Sequence, residues 1–150
     1  DAVGGYQESR FFEPGTDVVV AKTPFGNIGL MVCYDLRFPE LALTLRQQGA
    51  NILTAPAAFT YTTGQMHWQL LLQARALDSQ CQVLGAAQQG WHGEKRQTWG
   101  HAGASNSRGQ ILDMITHEGA GLITVPFDLA EQEAIRSSMP LIQHRKLINY

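Results

Sequence analysis

Apolar and polar positions fall into blocks along the first half of the chain, and the blocks predict strands and helices in turn. Residues 18–21 and 27–33 are apolar runs separated by Pro24-Phe25-Gly26, which predicts a hairpin. From residue 39 to 48 the pattern turns helical, with Leu41, Ala42 and Leu45 on one side. Pro39 suits the first helical position and Gly49 the C-terminal cap. Residues 51–55 form a short apolar strand, so residues 28–55 have the shape of a β-α-β unit. A second helix is expected from about Gly64 to Gln80. Thr62 and Gln65 have capping-box spacing, and Met66, Leu70, Ala74 and Leu77 recur along one face. Leu71 and Leu72 widen that stripe, so this helix is expected to bury more than one side.

The second half reads differently. Residues 82–87 are a further strand candidate, followed by a polar excursion over 88–100. Residues 102–107, 110–115 and 121–125 then read as consecutive strands with glycine-containing turns between them. Asp128 can cap a final helix to about Ser137, and residues 139–150 show no clear periodicity. The balance is mixed α/β, with β-α-β units first and hairpins after. No repeat, low-complexity segment or linker divides the 150 residues, which fit one domain.

A composition of 44% hydrophobic and 16% charged residues is enough for a packed core. The net charge of −2 argues against a nucleic-acid footprint or a polybasic membrane patch. The longest apolar runs are too short to span a bilayer, and the opening residues carry no signal-peptide pattern. Two cysteines make no disulfide framework and favour a reducing, cytoplasmic setting. Residues 1–9 read as loop, where an α/β domain is expected to open on a strand.

Cys33 ends the apolar run and begins a polar turn, with Pro39 ready to open a helix. A thiol at such a junction lies near helix-start N–H groups, whose dipoles favour the reactive thiolate. It also reads as a small buried core cysteine, because free cysteines are among the most buried residues. If the junction is a nucleophile elbow, the Tyr34 N–H is placed to stabilise an oxyanion. Cys81, beside a helix end and an apolar strand, reads as structural. No serine lies in a G-x-S-x-G context, and there is no P-loop or dinucleotide fingerprint. His67, His92, His101, His117 and His144 are scattered without metal-ligand spacing. His67 could line a pocket or pack under Trp68. The loop His92-Gly93-Glu94-Lys95-Arg96 is either a solvated turn or a selector for an anionic substrate. Glu8, on composition alone, is a surface carboxylate.

Taken together, several strings resemble the nitrilase superfamily of carbon–nitrogen hydrolases. They are Glu8-Ser9 with Pro14-Gly15, then Cys33-Tyr34-Asp35-Leu36-Arg37-Phe38-Pro39-Glu40-Leu41, then Pro56-Ala57-Ala58-Phe59. Thr63-Gly64-Gln65-Met66-His67-Trp68, Ala74-Arg75-Ala76-Leu77-Asp78-Ser79-Gln80-Cys81 and Gly100-His101 follow in family order. The stretch Ala86-Ala87-Gln88-Gln89-Gly90 with His92, Glu94, Lys95 and Arg96 leans toward the Nit branch. Two places depart from it: Gln69 stands where that branch often has Glu, and residues 104–109 replace a more usual Val-Val-Asp-Pro-Trp-Gly-like turn.

The resemblance implies a four-layer α-β-β-α sandwich and a Glu-Lys-Cys triad. Cys33 matches the nucleophile and Glu8 the accessory glutamate. The base glutamate and the lysine match positions upstream of Asp1, so the chain is expected to be the C-terminal portion of one domain. The implied activity is hydrolysis of a small carboxylated amide, such as deaminated glutathione, through a cysteine thioester, this chain alone being inactive. Arg37, Phe59, His67, Lys95 and Arg96 are the candidate substrate contacts, Arg37 serving equally as an anchor for the elbow. Neither metal nor cofactor is implied, and neither nucleic acid nor membrane is an expected partner. The complete protein is expected to be a homodimer. An omega-amidase of 2-oxo acid amides, a non-catalytic remnant and a thiol-containing binding domain remain as alternatives.

Overall fold

The computed structural model describes residues 8–146, the side chain of Glu8 excepted. Among them, strands β1 (Val20–Thr23) and β2 (Gly26–Leu30) form the expected hairpin, with Gly26 at a φ of +138° that suits glycine. Helix α1 (Pro39–Gln47) then crosses to β3 (Ile52–Thr54), which pairs parallel to β2 with Ile28 opposite Ile52. Helix α2 (Tyr61–Ser79) leads to β4 (Gln82–Gly85), parallel to β3. The polar excursion is not a loop: β5 (Gln89–His92) and β6 (Arg96–Trp99) pair as a separate hairpin about a turn at Gly93. Strands β7 (Gly103–Ser105) and β8 (Ile111–Met114) complete a six-stranded sheet of order β1-β2-β3-β4-β7-β8.

Residues 121–125 do not join the sheet as expected. They run without assigned secondary structure, although Leu122 and Thr124 are exposed while Ile123 and Val125 are half-buried. That period-two pattern belongs to an extended segment, but no neighbouring strand among the described residues offers it a ladder. Helix α3 (Leu129–Ser138) starts as predicted, with the Asp128 carboxylate accepting the Glu131 N–H at 2.9 Å. A single turn, α4 (Leu141–His144), follows.

The core lies between the sheet and α1 and α2, where Met31, Leu36, Leu45, Leu53, Trp68, Leu72 and Val83 are sealed from solvent. Helix α3 lies against the N-terminal ends of β3 and β4. Its Gln132 amide donates to the Asn51 carbonyl, and its Arg136 donates to the carbonyls of Ala50 and Gln80. The described residues thus supply a six-stranded sheet covered by α1 and α2, and a separate two-stranded hairpin. Another apolar groove of about 480 Å³ is walled by residues such as Thr54, Leu84, Ile115, Ile123 and Val125.

Two expectations about α2 need correction. The helix starts three residues earlier than predicted, at Tyr61, and Thr60 caps it without a side-chain hydrogen bond. The chain is turned there instead by Thr60, which bridges to Thr98 of β6 and accepts the Gly64 N–H at 2.7 Å. The buried face is Gly64, Trp68, Leu72, Arg75, Ala76 and Ser79, whereas Met66, Leu70 and Leu77 are more than half exposed. Burial is set by the approach of β6 to the first turn of α2. A β-carbon on Gly64 would sit on Trp99 Cβ, an atom fixed to the backbone. Alanine at a helical glycine gains about 1 kcal/mol of propensity, but overpacking costs about 1–3 kcal/mol. Because Trp99 Cβ cannot swing aside, overpacking wins. Gly64→Ala is expected to lower stability by up to about 2 kcal/mol in urea unfolding, against the propensity trend.

Candidate active site

Cys33 opens a five-residue 3-10 turn, Cys33–Arg37, at the C-terminal end of β2. Its φ of +46° lies in the left-handed region, unusual for a residue with a side chain and worth about 1–3 kcal/mol of local strain. Most of the backbone N–H groups around it are engaged. The Met31 N–H donates to the Thr54 carbonyl at 3.0 Å and the Cys33 N–H to the Pro56 carbonyl at 2.9 Å, so the β2–β3 pairing runs on to the turn. The Asp35 N–H donates to the Val32 carbonyl at 2.9 Å, and the Val32 N–H donates to Asp35 Oδ2 at 2.9 Å. The Tyr34 N–H, within the first turn, has no acceptor there, as at any helix start.

The thiol is half-buried and faces a cavity of about 510 Å³. Its walls are the segments that leave β3 and β4 at their C-terminal ends: Pro56, Ala57 and Ala58 on one side, Ala86, Ala87 and Gln88 on the other. Ligands in open α/β sheets bind outside the carboxyl ends of parallel strands, and this cavity occupies that position. Backbone hydrogen bonds Ala57 N–H to Ala86 O at 2.8 Å and Gln88 N–H to Ala57 O at 2.9 Å hold the two walls together.

The candidate contacts separate into two groups. Arg37, Phe59 and His67 come together: the guanidinium carbon lies 5.1 Å from the Phe59 ring centre and 5.3 Å from that of Tyr34. Arg37 Nη1 donates to His67 Nδ1 at 3.2 Å, so His67 is the Nε2–H tautomer. Phe59 is buried and packs edge-on against Trp68 at 5.2 Å. Arg96 lies on β6, where Nη2 donates to the Ala58 carbonyl at 3.2 Å, behind the cavity wall. Lys95 is exposed at the hairpin turn, and His92 bonds Thr98 Oγ1 at 2.8 Å. The Glu8 carboxylate lies outside the described residues.

Sequence reading missed Asp35, whose three-residue spacing from Val32 is the capping-box spacing that could have revealed it. It also missed the β5–β6 hairpin, signalled by Gly93 between two tryptophan-bearing segments of β length.

Cys81 is the opposite kind of thiol. It is fully buried, donates toward the Ala50 carbonyl at 3.3 Å and lies 3.4 Å from Arg136 Nη2. Burial pushes its pKa up, with Arg136 and the Ser79 hydroxyl pulling the other way. A thiol kept protonated in the fold gives up its proton only when unfolded, so stability falls as pH rises through the ordinary thiol range. Urea titrations from pH 7 to 10 are expected to show that fall. In Cys81→Ala the slope is expected to be shallower, by up to about 1.4 kcal/mol per pH unit.

The Cys33 thiol, left-handed above the carboxyl ends of parallel strands, has beside it the Tyr34 N–H, which finds no acceptor among the described residues. The carbon–nitrogen hydrolase family profile matches residues 2–137, and the chain belongs to that family, the nitrilase superfamily. It is 44% identical over 149 residues to a deaminated glutathione amidase of Yersinia enterocolitica, covering 99% of this chain and 52% of that protein. Among solved structures it is similar to the NitFhit protein of C. elegans, at a TM-score of 0.86 and 38% identity, over 96% of this chain and 35% of that one. It is also similar to an amidase variant from Nesterenkonia, at a TM-score of 0.67 and 26% identity, over 75% of this chain and 42% of that one. That structure shows covalent addition of the acetamide moiety of fluoroacetamide at the active-site cysteine. The chain spans about half the length of the Yersinia relative.

Proposed function

We propose that the complete domain is a thiol-dependent amidase that hydrolyses a small carboxylated amide, such as deaminated glutathione, and releases ammonia or an amine. The observation that carries this reading is the placement of Cys33, left-handed and half-buried at a cavity walled by small side chains. Of the two cysteines, Cys81 is sealed in the core, so Cys33 is the one that substrate can reach. The family and the amidase neighbours support the same chemistry.

In this mechanism the Cys33 thiolate attacks the amide carbonyl, and the new oxyanion accepts from the Tyr34 N–H. The carbon–nitrogen bond breaks as the leaving nitrogen takes a proton, leaving a thioester on Cys33. Water then attacks the thioester, the carboxylic acid departs and the thiol is restored. The resemblance assigns proton transfer to a glutamate and further oxyanion stabilisation to a lysine, both upstream of Asp1, with Glu8 as accessory. The reaction therefore belongs to a domain of which this chain is the C-terminal portion. Arg37 is the best-supported carboxylate contact: both rings and His67 fix its guanidinium, and among the described residues only Nη1 has a hydrogen-bond partner. Lys95 is exposed on the hairpin turn, and Arg96 reaches the cavity-lining Ala58 carbonyl. A cytoplasmic setting fits two unpaired thiols, and among the described residues no helix is long and apolar enough to cross a membrane. The exposed Met66, Leu70 and Leu77 of α2 supply a face for homodimer pairing.

A second reading, a non-catalytic remnant, is favoured by the same assignment of two triad groups upstream. An ammonia-release assay separates the two. The complete domain is expected to turn over a carboxylated amide, Cys33→Ala to lose at least about 10³-fold, and the 150-residue chain to show no turnover. Undiminished turnover by Cys33→Ala overturns the amidase reading, and turnover by the 150-residue chain overturns the remnant.

A further inference from the structure

Alternate N–H groups along β2 point to opposite neighbours. Those of Met31 and Cys33 reach β3, through the carbonyls of Thr54 and Pro56, while that of Leu30 reaches the Val19 carbonyl beside β1. By the same alternation, the Val32 N–H points to the β1 side, where register places Asp17 as its partner. It does not bond there. It donates instead to Asp35 Oδ2, three residues ahead in its own chain, at 2.9 Å. A short carboxylate has taken the place of a strand, which is how Asp side chains compete with sheet ladders.

We infer that Asp35 is a positioning residue for the reaction proposed above, on which the inference rests. Its carboxylate ends the β1–β2 ladder at Leu30 and folds the chain back at Val32. That places Cys33 in the left-handed region and leaves the Tyr34 N–H without a ladder partner. With the acceptor removed, Val32 is free to pair with Asp17 and the chain to run on extended through Cys33. The thiol then leaves the cavity edge, and the thiol and the Tyr34 N–H lose their shared orientation. Asp35 acts through the backbone, as an acceptor of one hydrogen bond, so its charge is not what the site requires.

Two readouts test this with Asp35→Ala and Asp35→Asn. In hydrogen exchange on the chain, the exchange rate of the Val32 amide is expected to change at least tenfold in Asp35→Ala and to stay within threefold of the parent in Asp35→Asn. Alkylation of buried Cys81, followed site by site, reports whether either variant has unfolded. In the complete domain, Asp35→Ala is expected to lower kcat by tenfold to a hundredfold with KM within threefold, and Asp35→Asn to restore kcat. An unchanged Val32 amide in Asp35→Ala overturns the latch, and so does an Asp35→Asn variant as impaired as the alanine. If the exchange pattern holds while the complete parent domain hydrolyses no amide, the latch stands and the amidase reading falls.

Discussion

The parallel alignment of β2, β3 and β4 is the constraint on which the site depends, because it brings three chain ends to one edge. Backbone bonds extend the alignment beyond the strands proper. Cys33 is tied to Pro56, Ala55 to the Leu84 carbonyl, and Ala57 to the Ala86 carbonyl, all within 2.8–2.9 Å. Each such bond contributes only about 0.5–1.5 kcal/mol net, but leaving a buried one unmade costs about 1–3 kcal/mol. The segments leaving β3 and β4 are therefore aligned chiefly by main chain. That frees the side chains there to be small. Ala57, Ala58, Ala86 and Ala87 line a cavity because no bulk is needed from them to fix its walls.

The two thiols occupy opposite settings in a single fold, one half-buried at a cavity and one sealed in the core. Cys81 sits where β4 begins, beneath α3, with its sulfur against a carbonyl and Arg136. Burial keeps it protonated, which makes it inert. Cys33 sits at the opposite end of the same sheet, where the strands stop and a cavity opens. The difference comes from position along parallel strands, whose carboxyl ends carry turns and whose starting ends here are covered by α3.

Much of this was legible from periodicity. The β2–α1–β3 unit, the cap at Asp128 and the junction at Cys33 each rest on local signals, and the structure carries all three. The failures share a cause. The start of α2 and its buried face are set by β6, which arrives from about 35 residues downstream and presses Trp99 on Gly64. Counting apolar residues on the helix favours Met66, Leu70 and Leu77, yet the sheet lies on the other side. Residues 121–125 have a strand's alternation without a neighbour to pair with, and a ladder needs two partners. Asp35 was hidden because a polar residue in a turn looks ordinary until its acceptor role is known.

The segment from Pro56 to Thr60 joins these parts. Its backbone holds β4's continuation through Ala57, the hairpin through Phe59, which accepts the Trp99 N–H at 3.0 Å, and β6 again through Thr60. Its Phe59 ring lies between Arg37 of the elbow turn and Trp68 of α2. Arg96 adds a charged hydrogen bond to the Ala58 carbonyl from behind. The hairpin's polar sequence therefore braces the cavity wall at Ala58. A loop that braces a wall needs backbone pairing and one well-placed guanidinium, and the β5–β6 hairpin has both.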